Sequence, residues 1–305
     1  MAKTILLIHG RHFKPPKADL KKLWLEALRH AIKRDHPGKL QAFKDAKVEL
    51  VYFGDLSNAF LKSALGKPVP KDTASRQATL DQLKLYKRSQ FTKTNYKKLP
   101  GHNAWMEGLA DTFAGALNLF GLSQPIIERV APDMAEYWGN YRFGSEVRAV
   151  FTDAIIKAMK KPGDLCVAGH SLGSIISWDV FWKLSHYSEY RGESWNRKVD
   201  LWITLGAPLA DETVKDNLKG ATLSEPDRYP TNIVDWLNIT AEDDYISHDQ
   251  KVANDFRGMK KLGYVNSIKD KRIYNLAVRD GKSNPHHGVG YLIHPAMADA
   301  LAAWL

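Results

Sequence analysis

Ser171 stands between two glycines in the stretch VAGHSLGS, residues 167 to 174. A serine hydroxyl is a weak nucleophile near neutral pH. To attack a carbonyl it needs an imidazole that takes its proton and a carboxylate that fixes the tautomer of that imidazole. Both residue types follow downstream: AEDDYISHD (241 to 249) holds Asp243 and Asp244, and RDGKSNPHHGVGYLIHP (279 to 295) holds His286, His287 and His294. The spacing Gly169-x-Ser171-x-Gly173 matches a nucleophile elbow, a sharp strand-to-helix turn that exposes Oγ. Glycines there lack the Cβ atoms that would keep strand and helix apart. On such a scaffold the acid and then the histidine follow the serine, each just beyond a strand end. Asp243, Asp244 and Asp211 are then candidates for the acid, and His286 and His287 for the base. His294, directly before Pro295, reads as a helix cap.

The elements that must hold these groups are legible as alternating apolar patterns. Ile5 to Ile8 is a short aliphatic run closed by His9-Gly10, as in a strand buried on both faces. Leu20, Leu23, Trp24, Ala27, Leu28 and Ala31 recur at helical spacing, with Asp19 as candidate N-cap. VELVYFGD (48 to 55) predicts a second strand. Val147 to Ala158 forms an amphipathic helix opened by Ser145, and LCVA (165 to 168) a third strand leading into an apolar helix over 174 to 184. Strands follow at 201 to 206, 233 to 240 and 272 to 278, and a last helix at 295 to 305. Strands alternating with helices imply an α/β fold with an open, mostly parallel sheet flanked by helices. Its functional groups gather at the carboxyl ends of the strands. Residues 56 to 144 interrupt the alternation after the second strand. Met106, Ala110, Phe113, Leu117 and Phe120 form an apolar helical stripe within this stretch, expected to pack on the core and cap the site.

Composition removes several alternatives. A chain of 305 residues, 44% hydrophobic with nine tryptophans, is not a disordered one. Its single cysteine, Cys166, excludes an internal disulfide framework and a cysteine-built metal cluster. His12, His170, His248, His286, His287 and His294 lack the H-E-x-x-H spacing of a zinc helix, so neither metal nor other cofactor is expected. The N-terminal MAKTILLIHG reads as a strand rather than a signal peptide. No stretch is apolar enough for a membrane span, and a soluble, cytoplasmic protein is expected. The net charge of +10 is concentrated between Lys62 and Lys98, where ten Lys or Arg face only Asp72 and Asp81. Without zinc-finger, phosphate-loop or RNA-binding signatures beside it, this segment predicts no nucleic-acid partner. It reads as a solvated lysine-rich face, with peripheral contact to an anionic membrane surface as its functional counterpart.

The five segments LLIHGRHF, VAGHSLGS, ITLGAPL, AEDDYIS and NPHHGVGYLIHP together resemble the α/β-hydrolase superfamily, in particular its lipase- and esterase-like members. The resemblance spans residues 5 to 295 but leaves out 56 to 144. It also departs in two ways: the chain begins at what would be the third strand of the full superfamily sheet, and the insertion is not at the most common lid position. The resemblance implies Ser171 as nucleophile, Asp244 as acid with Asp243 second, and His286 as base with His287 second. It further implies an oxyanion hole from the backbone N–H groups of Leu172 and Arg11, the latter following His9-Gly10. The Arg11 side chain itself is expected in a surface salt bridge. The implied activity is ester hydrolysis on a small-molecule or lipid ester. Acyl transfer or thioester cleavage by the same groups, and a noncatalytic binding protein docking through its basic segment, are the alternatives.

Overall fold

A computed structural model describes residues 2–101, 131–192, 197–247 and 251–305. The six-stranded sheet contains β1 (Lys3–Ile8), β2 (Lys47–Val51), β3 (Asp164–His170), β4 (Val199–Leu205), β5 (Ile233–Ala241) and β6 (Ser267–Ile273). Its order is β2-β1-β3-β4-β5-β6 and every pair is parallel. The principal helices are α1 (Lys17–Asp35), α2 (Gly54–Leu65), α3 (Thr73–Lys84), α4 (Pro132–Gly139), α5 (Tyr141–Met159), α6 (Leu172–His186), α7 (Glu212–Asn217), α8 (Gly288–Ile293) and α9 (Pro295–Trp304).

The aliphatic runs of β1 and β3 have two-residue periodicity with both phases buried, because helices cover both faces of the sheet. Leu6, Ile8 and Val167 enter one core with Phe151, Ile155, Trp178 and Trp202; α5 and α6 supply its helical side. Ile5, Leu7, Cys166 and Ala168 enter the other with Leu23, Trp24, Tyr291 and Leu292, from α1 and α8. The winding reverses between β1 and β3: β2 lies on one side of β1 and all later strands on the other. Such a switch point opens a crevice at the carboxyl ends of the strands. His9-Gly10 leaves β1 there, and Ser171 leaves β3.

Several boundaries differ from the sequence expectation. The sheet strand near residue 272 is Ser267–Ile273, not 272 to 278. As an edge strand it exposes Lys269, Asp270, Lys271 and Arg272, so it carries no apolar run; charge is how edge strands avoid pairing with other chains. Leu276 and Ala277 are buried as loop, and Val278–Arg279 pairs with Lys282–Ser283 in a hairpin (β7 and β8). Its turn is Asp280-Gly281, both at positive φ, a dipeptide that favours this geometry. Strand β2 stops at Val51 because the Phe53 N–H bonds His9 Nε2 (3.1 Å) instead of continuing a ladder. Helix α1 begins before Asp19, at Lys17 after Pro15-Pro16, leaving Asp19 in the first turn. Helix α5 is capped by Asn140, whose Oδ1 accepts from Arg142 and Phe143 N–H (3.0 and 3.2 Å), rather than by Ser145. Its first turn exposes Tyr141 and Arg142, which hides it from apolar periodicity.

The described part of 56 to 144 is helical. Leu80 and Leu83 of α3 join the α1-side core, and Thr79 Oγ1 donates to the Val278 carbonyl (2.9 Å). The stripe from Met106 to Phe120 lies outside the described residues. Within the basic segment, Arg76 pairs with Asp72, Lys84 with Glu26 and Asp81, and Arg88 with Asp299. Among the described residues no helix is long and apolar enough to cross a membrane.

Candidate active site

Ser171 sits between β3 and α6 with φ 54° and ψ −124°, a backbone conformation disfavoured for a residue with a Cβ. The surroundings enforce it. Its N–H is held by the Leu205 carbonyl (2.9 Å), and Ser174 Oγ donates to the Gly169 carbonyl (2.8 Å). A Cβ at Gly173 would lie 2.6 Å from the Ile8 and His9 carbonyl oxygens, and one at Gly169 would lie 2.9 Å from the Gly173 backbone. Both glycines are therefore required by close approach of β1, β3 and α6. Leu172, as the first residue of α6, has an N–H without an intrahelical acceptor, at the positive end of a fifteen-residue helix.

His286 stands against the serine. Its Nε2 is 3.0 Å from Ser171 Oγ, and its Nδ1 is 3.0 and 2.9 Å from the two carboxylate oxygens of Asp244. Asp244 follows β5 by three residues; its Oδ1 accepts the Ile246 N–H (3.1 Å) and its Oδ2 the Tyr291 hydroxyl (2.6 Å). Burial would push this carboxyl up. The charge and hydrogen bond of His286 with the hydroxyls of Tyr291 and Ser247 outweigh it and hold the pKa below the ordinary value. Tyr291 in turn accepts the Ala241 N–H (2.9 Å), tying the acid to the end of β5.

The other candidates have other partners. Asp243, exposed and at φ 56°, accepts the Tyr96 hydroxyl (3.2 Å). Asp211 caps α7 through the Val214 N–H (3.1 Å). His287 is buried, and neither ring nitrogen has a hydrogen-bond partner among the described residues. His170 Nε2 bonds the carbonyl of His286 (3.0 Å), bracing the loop that carries it. The histidine loop lies thirteen residues beyond β6, not immediately after a strand. What fixes it is Asn275, whose amide donates to the carbonyls of Pro285 and His287 (2.8 and 3.2 Å). The sequence reading assigned no role to Asn275 or to the Tyr291 hydroxyl. The Asp280-Gly281 turn was the available signal that the strand had ended before this loop.

At the other rim, His9 is a fully buried neutral imidazole. Burial and then the charge of Lys14 lower its pKa, its Nδ1 bonds the Gly10 carbonyl (2.9 Å), and it stacks on Phe53 (3.9 Å between centroids). The backbone after it runs so close to the serine that a Cβ on Gly10 would meet Ser171 Cβ at 2.7 Å. Arg11 follows. Its side chain lines a cavity beside His286, within the fields of Asp133 and Asp244. Among the described residues no group of three or more His, Cys, Asp or Glu is arranged to hold a metal, and His248 lies outside them.

No protein-family model matches this chain, and comparison with curated proteins finds no match either.

His294 caps α9, its Nδ1 accepting the Ala296 N–H (3.0 Å). Burial, then the charges of Arg34 and Lys271, pull its pKa from 6.5 to about 3. Protonation would also remove the capping acceptor. Since the unfolded chain takes up this proton near 6.5 and the folded one does not until about 3, the unfolded state binds more protons across that window. Stability is therefore present above 6.5 and falls as the pH drops towards 3, by up to about 1.4 kcal/mol per pH unit for one such histidine. His294→Asn keeps a capping oxygen and removes the titration. Urea melts between pH 7 and 4 are expected to give a shallower loss of stability for this variant; parallel curves would refute the assignment.

Proposed function

We propose that this protein is a serine hydrolase of the α/β-hydrolase type that cleaves carboxylic esters through an acyl-enzyme on Ser171. The observation that carries the reading is the unbroken chain from Ser171 Oγ through His286 to Asp244, at 3.0 Å and 2.9 Å, on a serine held at positive φ. Ser171 Oγ attacks the ester carbonyl while His286 Nε2 takes its proton, and Asp244 stabilises the imidazolium that forms. The oxyanion that develops is assigned to the N–H groups of Leu172, at the start of α6, and of Arg11, next to the Gly10 that lies against Ser171; donors held in place need no reorganisation. Collapse of the tetrahedral intermediate expels the alcohol, which receives the proton from His286. Water then enters and adds to the acyl carbon as His286 takes its proton; collapse releases the acid, and His286 returns the proton to Ser171 Oγ. Within 56 to 144, α3 contributes Arg76 to the wall beside His286.

A fluorophosphonate tests the reading, because it phosphonylates only an activated serine. Stoichiometric labelling of the wild type is expected, and none in Ser171→Ala with an unchanged circular dichroism spectrum. A folded wild type that does not label would sink the hydrolase reading in favour of a noncatalytic protein. Competition between water and added alcohols or thiols for the acyl-enzyme separates hydrolysis from acyl transfer.

A further inference from the structure

Beside His286 lies a cavity of about 130 Å³ whose walls carry an unusual charge. Arg11 and Lys14 come from the segment after β1, Arg76 from α3 and Arg279 from the β7–β8 hairpin, joined by Asn284 and His287; among the described residues, no carboxylate lines it. The acids that pair with these groups stand outside the lining: Asp280 Oδ2 is 3.6 Å from Arg279 Nε, and Asp72 and Asp133 lie behind the walls. Asp72 Oδ2 bridges Arg76 (2.7 Å) and Arg279 (2.9 Å), fixing both guanidinium groups, and Asp133 Oδ2 accepts the His12 N–H (2.6 Å). Lys14 is 93% buried, and its ammonium is directed by the carbonyls of Arg11 and of His12 (3.0 Å). Among the described residues it has no carboxylate within salt-bridge distance. His287 is 95% buried, lines the same cavity and, among the described residues, has no hydrogen-bond partner for either ring nitrogen.

We infer that this cavity binds an oxyanion carried by the substrate, so that the preferred esters bear a carboxylate or phosphate in their acyl or alcohol part, a few bonds from the scissile carbonyl. The inference rests on the hydrolase reading for the word substrate, but the anion site stands on its own geometry. Four basic side chains drawn from three separate elements converge on a space that suits a compact charged group and not a long acyl chain. Such a cluster is unfavourable when empty of negative charge. Burial, and next the charge of Arg76, lower the Lys14 pKa well below its ordinary value, and burial does the same for Arg76 against the opposing pull of Asp72. An anion reverses that repulsion and gives planar guanidinium groups a partner whose geometry they match. A larger cavity, about 550 Å³, lies at the opposite, amino end of the strands, lined by Lys3, Asp164 and Trp304, and has no part in this site.

Two measurements test the inference. Inorganic phosphate and succinate are titrated separately by calorimetry into Ser171→Ala protein at low ionic strength; this arm does not depend on turnover and shows which oxyanion fits. Saturable binding of at least one is expected, at one site per chain. It should weaken about tenfold or more when Arg279→Gln is added, and recover substantially with Arg279→Lys. In the second measurement, kcat/KM of the wild type is compared within two matched pairs: para-nitrophenyl hemisuccinate against its methyl ester, and butyryl glycolate against its methyl ester. A preference of about tenfold or more for the charged member is expected in at least one pair, shrinking in Arg279→Gln. Absence of saturable anion binding, or equal kcat/KM within both pairs, overturns the inference even if Ser171 labels with a fluorophosphonate. Saturable binding in a protein whose Ser171 does not label upholds the anion site and removes the hydrolase reading instead.

Discussion

Replacing His286 by alanine is expected to lower kcat for ester hydrolysis by about 10⁴- to 10⁶-fold, the scale seen when a general base that works as a unit with its serine is removed. No neighbour can take over. His170 is the nearest imidazole, its ring centroid 4.8 Å from that of His286, but its Nε2 is engaged by the His286 carbonyl and its pKa is lowered by burial and by His286. His287 adjoins His286 in sequence yet faces the cationic cavity and makes no bond to Ser171 or Asp244. His287→Ala is therefore expected to lower turnover of a neutral ester by orders of magnitude less than His286→Ala. Steady-state kinetics on the two folded variants decides the matter. Comparable losses in both, or the larger loss in His287→Ala, would remove His286 as the base.

The second large effect is expected from Asp244→Asn, at about 10³- to 10⁴-fold in kcat. An amide in place of the carboxylate can donate to His286 Nδ1, which then has to accept; the proton moves to Nε2 and points at the serine that must lose one. The change keeps volume and most packing, so the loss reflects the tautomer rather than the fold. Asp243→Asn, at an exposed carboxylate that accepts the Tyr96 hydroxyl, is the matched control and is expected to lose far less. Stability carries an independent signature. The folded carboxyl of Asp244 titrates below 3.8, so the stabilisation due to its ionised form is present above 3.8 and disappears as the pH falls through the lower, folded value. Any stability advantage of the wild type over Asp244→Asn is thus expected to shrink on acidification below 3.8. An advantage that grows instead would contradict an ionised Asp244.

Local chemistry explains why part of this site could be read in advance. Runs such as Ile5–Ile8 and Leu165–Ala168 have a single good outcome, strands covered on both faces, and alternation with helical periods leaves little choice but a parallel sheet. The elbow is similarly local, because Gly169 and Gly173 are set by contacts within and just beside one strand-turn-helix unit. Elements whose character comes from distant partners were misplaced. Strand β6 hides its edge position behind charge, and the apolar residues after Ile273 are buried by a loop that Asn275 holds. The β2 terminus turns away because of a hydrogen bond to His9, forty-four residues earlier in sequence.

By itself the sequence determined the sheet-and-helix alternation, the strained serine turn and the short set of acids and histidines able to serve it, since these follow from backbone geometry, burial period and residue type within a few positions. Only the tertiary structure puts Asp244 and not Asp243, and His286 and not His287, in hydrogen-bond line with Ser171. Adjacent residues share composition and spacing but point in different directions, and a hydrogen bond of 3.0 Å distinguishes them where neighbouring letters do not. The same is true of the cationic cavity: Arg11, Lys14, Arg76 and Arg279 are spread over 269 positions, and only the folding of α3 and the β7–β8 hairpin against the β1 exit brings their charges together.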